Sequence, residues 1–414
     1  MIDHKDFRIN PDKYFNAARQ RGLNVEHEVK TTTTNETSRQ QQLENLQAQI
    51  NRANKIIPSL TNPERAEKLK ELKKISDKIS GLKSILKSTS KNKKFVWPNI
   101  PRSDVPIGTG SKSNQIIRQV GKKPKLEQPQ DYLTLTEKLK LIDIKRASKV
   151  SGSRFGYLLG LLAQMEFALI HYAQSIIIPA GFTMVIPPVM IKEENMAAMG
   201  YLSGAGEQEA YHLAKEHLYL VGTSEQSIGP MHRDEVLNSD QLPKRYLAFS
   251  TCFRREAGSY GQDTRGILRV HQFDKLEMFS FTQPNQSDQE HELLLSLQEK
   301  IMTGLKLPYR VVKLCTGELS WPSARTYDLE TWMPGQNLYR ETHSTSNTTD
   351  YQSRDLNIYY QRSDEPKELV HTLNGTAVAI GRMLIAIIEN YQQPGGSIAV
   401  PKVLQSFLRQ KVIR

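Results

Sequence analysis

Two apolar stripes at helical spacing, separated by a proline-bounded turn, constrain this chain more than any other feature. Leu43, Leu46 and Ile50 recur in steps of three and four. Leu69, Leu72, Ile75, Ile79, Leu82 and Leu86 continue the rhythm after Pro58-Ser59-Leu60-Thr61-Asn62-Pro63. A helix with apolar residues at those steps presents one narrow seam and must bury it on a partner. Two such helices joined by a tight turn bury their seams on each other. Residues from about 38 to 90 are therefore expected to form an antiparallel helical hairpin, a short coiled coil. Asn62-Pro63-Glu64 reads as the cap of the second helix, with proline in its first turn. A short helical pattern follows Asn10-Pro11, and a polar stretch, Lys30-Thr31-Thr32-Thr33-Thr34-Asn35, separates it from the hairpin.

The second helix is rich in lysine, including Lys68, Lys70, Lys73, Lys74, Lys78, Lys83 and Lys87. A solvated face has the same composition. The whole chain, however, carries a net charge of +12, which favours a polyanionic partner, nucleic acid first. Its 414 residues imply at least two domains. Two cysteines, Cys252 and Cys315, build neither a Cys-rich zinc site nor a disulfide framework, and they fit a reducing compartment. No apolar run reads as long enough to cross a bilayer. Met1-Ile2-Asp3-His4-Lys5-Asp6 lacks the apolar stretch of a secretory signal.

Residues 101–130 read as a linker, because Pro101, Pro106, Pro124 and Pro129 oppose helix. Gly108-Thr109-Gly110-Ser111-Lys112-Ser113 lacks the spacing of a phosphate loop and no clear strand precedes it. From residue 131 to 414, helices mix with segments that alternate like half-buried antiparallel strands, which makes this an α+β domain. A long apolar helix is expected over residues 155–178. A strand over 369–374 is expected to lead through Gly375-Thr376 into a helix over 377–389. No βαβ rhythm and no Gly-x-Gly-x-x-Gly favour a Rossmann fold.

Several constellations could carry chemistry. In Arg269-Val-His271-Gln-Phe273-Asp-Lys275-Leu-Glu277, a period of two would put two cations, two rings and a carboxylate on one strand face. A core face would be apolar; this one suits a stacked base among phosphates. Thr251-Cys-Phe253-Arg254-Arg255-Glu256 lies just upstream, so Arg254 and Arg269 could converge on one phosphate chain, where a guanidinium fork fits best. After the apolar strand Leu218-Tyr-Leu-Val221, alternation would put the Thr223 hydroxyl and the Glu225 carboxylate together, suited to an ammonium group; an N-cap is the plainer alternative. Arg340-Glu341-Thr-His-Ser344 offers oxygen ligands for magnesium. Asn374, Thr376 and Arg382 stand near a strand-to-helix junction. The histidines show no metal-ligand spacing, so zinc is not expected.

Together these segments resemble seryl-tRNA synthetases of the bacterial type, within the class II aminoacyl-tRNA synthetases. Thr251 to Gly258 and Arg269 to Glu277 are similar to motif 2 in its seryl form. Gly181-Phe182 running to Pro188 is similar to motif 1, and Leu373-Asn374-Gly375-Thr376 with Gly381-Arg382 to motif 3. The likeness spans essentially the whole chain, Lys149-Val-Ser-Gly-Ser-Arg-Phe155 included. It implies an N-terminal tRNA-binding domain over 1–100 and a catalytic domain over 131–414 whose antiparallel sheet is flanked by helices. The implied reaction forms seryl adenylate from L-serine and ATP, then transfers serine to the 3′ end of serine tRNA. A selenocysteine tRNA as second substrate is compatible with it.

The resemblance also implies roles. Arg254 would hold the serine carboxylate and the α-phosphate, and Arg269 and Arg382 the outer phosphates. Phe273 would stack on adenine against Arg382, and Glu256 would read its exocyclic amine. Thr223 and Glu225 would bind the serine ammonium, and Glu277 and Thr376 its hydroxyl, with Asn374 lining the pocket. Glu341 and Ser344 would hold Mg²⁺. Lys68, Lys73, Lys74, Lys78 and Lys83 would grip the long variable arm of the tRNA, in a cytoplasmic homodimer formed around Pro188 with no membrane partner. Three places depart from the family's pattern: Thr348-Thr349, Trp321-Pro322 and Gln226-Ser227-Ile228. Two rivals fit less well. A related amino acid:carrier-protein ligase would lack the arm and need zinc ligands. A non-catalytic paralogue should have lost Arg254, Glu277 or Arg382.

Overall fold

The computed structural model describes residues 2–24, 26–59, 61–91, 96–203, 206–257, 265–363 and 365–414. They divide into two units, Pro11–Arg19 with Leu23–Trp97, and Met1–Asn10 and Gln20–Gly22 with Pro98–Arg414.

The smaller unit is built on the expected hairpin, α1 (Glu26–Ile56) and α2 (Asn62–Lys91). At 1.5 Å per residue each helix runs about 45 Å. Leu43, Ala53, Ile57 and Ile79 are buried along the seam, with Leu46, Ile50, Leu72, Ile75 and Leu82 partly covered. Leu69 drops out of the stripe, at 51% exposed, and the Leu86 side chain lies outside the described residues. Helix α1 starts at Glu26, well ahead of residue 38. The threonine-rich stretch offers no seam, but it contains no proline or glycine to stop a helix. The cap of α2 is Thr61, one residue before the expected Asn62. The Thr61 amide and hydroxyl both donate to Glu64 Oε2, at 3.0 and 2.5 Å, while its carbonyl accepts the Arg65 amide. The Glu64 carboxylate thus reaches back to the cap amide, one half of a capping box. Tyr14 and Phe15 pack edge-on against Trp97 in the same unit.

The larger unit is framed by β1 (Gln115–Val120), β2 (Thr183–Val185), β3 (Lys244–Phe253), β4 (Gln272–Thr282), β5 (Tyr309–Lys313), β6 (Arg325–Met333), β7 (Leu338–Thr349) and β8 (His371–Ala379). They form one sheet in the order β1-β5-β6-β7-β8-β4-β3-β2, antiparallel except between β2 and β3. The stretch expected as a linker thus contributes an edge strand, β1. Its exposed Gln-Ile-Ile-Arg-Gln-Val pairs with β5, with a register shift between Ile116 and Arg118. Helices α3 (Leu161–Ile177), α4 (Ser287–Gly304) and α5 (Ile380–Asn390) bury their apolar sides in the main core.

Two boundaries differ from expectation. Helix α3 begins at Leu161, after Gly160 at φ +57°, because residues 157 and 158 pair as a short strand. Strand β8 continues through Thr376, Ala377 and Val378, which pair with or bulge against β4, so α5 starts only at Ile380. By length and composition Leu161–Ala180 could cross a membrane, contrary to the sequence reading. Leu162, Met165, Leu169, Ala173 and Ile177 are instead buried in the main core, so α3 is a central packing helix.

The face of β4 decides where chemistry can happen. Its even positions Leu276 and Met278 enter the main core. Its odd positions begin as Phe273, Lys275 and Glu277, then turn apolar at Phe279 and Phe281, which join a second cluster with Met199, Ile228 and Leu356. One face is therefore polar floor at one end and packed core at the other.

Candidate active site

Arg254 follows β3 directly, and its amide donates to the His271 carbonyl, which ties the two ends of the motif 2 loop together. Strand β4 starts at Gln272, so Arg269 and His271 precede the strand and do not share its alternation. The Arg254 guanidinium lies 5.4 Å from the Phe273 ring centre, and its Nε donates to the Gly222 carbonyl. Arg269 reaches Glu256 at 3.5 Å. Glu256 itself sits at φ +50°, and its carbonyl is held by Arg154.

Gly222 leads into Thr223-Ser224-Glu225, and these residues do not extend the strand. Leu218–Leu220 ends before them and Glu225 opens the short helix Glu225–Ile228. Gln226, one of the departures noted above, turns its side-chain oxygen back to the Gly222 amide at 2.8 Å and pins this corner. Ser224 occupies the cap position without a side-chain capping bond. Thr223 Oγ1, Ser224 Oγ and Glu225 Oε2 are buried and have no hydrogen-bond partner among the described residues. Buried polar atoms are costly to leave unpaired, so three at one corner mark a place built for a ligand.

Glu277 stands opposite Thr376 across β4 and β8, and the Thr376 hydroxyl donates to Glu277 Oε2 at 3.1 Å. Lys275 Nζ lies 2.8 Å from the same carboxylate, and all three side chains are buried. Asn374 shares the face of Thr376, two residues away on β8. Burial pushes the Glu225 carboxyl up to about 8, the Glu277 charge adds to this, and Lys275 and Arg254 oppose it.

Glu341 and Ser344 are three apart on β7, and on a regular strand they would face opposite ways. They share a face because Thr342 is an extra residue: Leu329 pairs with His343, but Glu330 pairs with Glu341. The Thr331 and Thr342 hydroxyls hold the bulge at 2.7 Å. Asp328 stands directly opposite Ser344. Its Oδ1 is buried without a partner among the described residues. Burial, then the neighbouring Glu341 charge, hold the Asp328 carboxyl well above the usual range, against a hydrogen bond from Ser344. The Glu341 side chain is half exposed, and the charges of Arg382, Arg254 and Lys275 hold its carboxyl low. Arg382 NH1 contacts Glu341 Oε1 at 3.0 Å and donates to its carbonyl. Two carboxyls and a hydroxyl on one face are hard oxygen donors, and they fit a divalent cation such as magnesium.

Arg254, Glu256, Arg269, Phe273, Glu277, Glu341, Ser344, Asn374, Thr376 and Arg382 lie on the β3-β4-β8-β7 stretch of the sheet or on segments leading from it, whereas Thr223 and Glu225 follow a strand, Leu218–Leu220, of a separate small sheet. Lys275 was on the polar face from the start, but its role as the counter-charge of Glu277 was not. Asp328 was missed because Tyr-Asp-Leu-Glu alternates like any half-buried strand. The Thr348 hydroxyl is spent on Thr372 and Gln352, so that departure leaves the site's named side chains unaltered. A cavity of about 360 Å³ is lined by Phe273 together with Phe155, Glu166 and Asp274; Glu225 and Glu277 are not among its walls.

Residues 1–102 match the family described as seryl-tRNA synthetase N-terminal domain, and residues 210–391 match the tRNA synthetase class II core domain (G, H, P, S and T). The serine–tRNA ligase of Thermobifida fusca (strain YX) is 39% identical over 419 residues, spanning 100% of this chain and 99% of that protein. The crystal structure of seryl-tRNA synthetase from Pyrococcus horikoshii complexed with ATP superposes with a TM-score of 0.85 at 35% identity, covering 100% and 99% of the two chains. That of the cytoplasmic serine–tRNA ligase from Naegleria fowleri in complex with AMP gives 0.81 at 31% identity, covering 98% and 96%.

Proposed function

The chain belongs to the seryl-tRNA synthetase family and is a serine–tRNA ligase with ATP as substrate; from that premise we propose how its own residues divide the work. The observation that carries the reading is the buried, unpartnered pair Thr223 Oγ1 and Glu225 Oε2, in one charge cluster with Glu277, Lys275 and Arg254. Thr223 and Glu225 take the serine ammonium. Glu277 and Thr376 take its hydroxyl, with Asn374 beside them. Arg254 spans the serine carboxylate and the α-phosphate, while Arg269 and Arg382 hold the outer phosphates. Adenine stacks on Phe273 against Arg382, and Glu256 accepts from its amine.

Adenylate formation then needs no protein base. The serine carboxylate is already ionised at neutral pH. It attacks the α-phosphorus in line, an O–P bond forms, and the bond to pyrophosphate breaks. The terminal ribose hydroxyl of tRNA next attacks the seryl carbonyl, an ester bond forms, and AMP leaves with the hydroxyl's proton passing to its phosphate. Catalysis rests on positioning and on the arginine charges facing the phosphates. Magnesium, when held by Glu341 and Ser344 with Asp328 alongside, neutralises phosphate charge.

Lys68, Lys73, Lys74, Lys78 and Lys83 grip the variable arm of serine tRNA. Four of them are exposed, and Lys68 is paired with Glu71 at 2.7 Å. A homodimer forms around Pro188. In support, Ile186 is 79% and Met190 50% exposed beside the edge strand β2, an arrangement that suits burial against a second copy. The enzyme works in the cytoplasm.

The test is pyrophosphate exchange and tRNA charging with serine, threonine and alanine. Serine-specific exchange is expected, with alanine weaker by up to ~10⁴-fold because the buried Glu277–Thr376 pair would lose the serine hydroxyl as a partner. Comparable rates with alanine would remove Glu277 and Thr376 from the hydroxyl site.

A further inference from the structure

The floor of the site contains a split in the sheet. Strands β7 and β8 pair from Thr349 with Thr372 down to Thr345 with Gly375, and the ladder stops there. Ser344 and Thr376 would be the next pair. At that point β8 instead follows β4, with Ala377 as an extra residue between the Glu277–Thr376 and Leu276–Val378 pairs. Two backbone carbonyls, of Ser344 and Thr376, are left at the opening.

Both are taken by one side chain. Gln298, fully buried on α4, donates its amide nitrogen to the Ser344 carbonyl at 3.0 Å and to the Thr376 carbonyl at 2.9 Å. An NH₂ group has two hydrogens, one for each strand. The two acceptors also fix the amide's orientation, since a flipped oxygen would face two carbonyls. Gly375 makes room, because a Cβ there would meet Thr345 Oγ1 at 2.9 Å and Gln298 Nε2 at 3.3 Å. Two turns earlier on α4, His291 sits over the neighbouring Thr345 carbonyl at 3.0 Å. Arg325 Nε donates to His291 Nδ1, so His291 Nε2 carries the hydrogen.

We propose that Gln298 is a positioning residue that sets the separation between the Ser344 side and the Thr376 side of the site, and so couples ATP binding to serine binding. This rests on the assignment of Ser344 to the phosphate end and Thr376 to the serine hydroxyl. The bonds from Gln298 go to the backbone carbonyls of the two residues, and the coupling runs through these. A shift of about 1 Å between the two halves is enough to misalign the attacking carboxylate and the α-phosphorus.

The experiment compares wild type with Gln298→Leu and Gln298→Glu. The leucine variant removes both donors. The glutamate variant keeps the volume and, when protonated, a single donor; it carries the test if the leucine variant does not fold. Serine affinity is measured by calorimetry with and without a non-hydrolysable ATP analogue, and exchange kinetics are normalised to folded protein. Expected are a ~10- to 100-fold lower exchange turnover and loss of most of the mutual tightening between the two substrates, with each substrate still bound alone. Coupling within twofold of wild type in a folded variant overturns the proposal, as does weakening of both substrates alone with their coupling intact. If wild type itself fails to activate serine, the site assignment falls first; if wild type activates serine and the variants keep their coupling, only the role of Gln298 falls.

Discussion

The two units bury apolar residues by different rules, and their functional residues follow suit. The hairpin is held by one narrow seam, from Leu43 to Ile57 against Leu72 to Leu82, and among the described side chains those off the seam are mostly exposed. Its proposed working groups, the lysines, are the part of the helix that packing leaves alone. In the catalytic unit the working groups are inside. Glu225, Lys275, Glu277 and Thr376 are all buried, at positions where a strand or turn would ordinarily place apolar side chains. A buried polar group needs a partner, and an exposed one does not. Function in the larger unit therefore shows as a violation of packing rules, whereas in the smaller unit it shows only as charge.

That contrast can be broken at its strongest point by Arg254→Ala. Loss of serine-dependent exchange by at least ~10³-fold is expected, with the circular dichroism spectrum retained; near-normal exchange would sink the phosphate assignment. Deleting residues 38–86 comes next. Exchange should stay within about twofold, while charging falls by at least ~100-fold. Surviving charging would mean that the hairpin is not the tRNA grip.

The third effect is a pH dependence. With its carboxyl raised to about 8, Glu225 is largely protonated at neutral pH before serine arrives. A bound ammonium favours the carboxylate, so binding expels a proton. The serine KM should fall as pH rises toward 8, by at most about tenfold per unit, and Glu225→Gln should flatten the profile. A flat profile in wild type would refute the buried-acid picture. The smallest effect is expected from replacing Lys73, Lys74 and Lys78 by alanine. The dependence of log affinity for tRNA on log salt should become shallower by ~2–3, and an unchanged slope would show these lysines to be merely solvated.

Legibility in the sequence divides along the same line. The seam of the hairpin could be read because apolar residues in steps of three and four fit a helix and no strand. Only its edges moved: Leu69 fell out, and the cap shifted to Thr61. Strand β4 could be read because Lys275 and Glu277 interrupt an otherwise apolar alternation. Thr223 and Glu225 were found together for the wrong geometric reason, since a helical turn rather than a strand brings them there. The common face of Glu341 and Ser344 could not be derived, because a bulge leaves no compositional mark. Gln298 was invisible, because it works through carbonyls 46 and 78 residues away along the chain.

The bulge at Thr342 carries one more implication. Its contribution is a count and not a chemical group: one surplus residue reverses which way everything beyond it points. Among descendants of this gene, position 342 should accept a change of letter far more readily than its loss. Removal of a single codon there would turn Glu341 toward the opposite side of the sheet while leaving the composition of the site almost untouched.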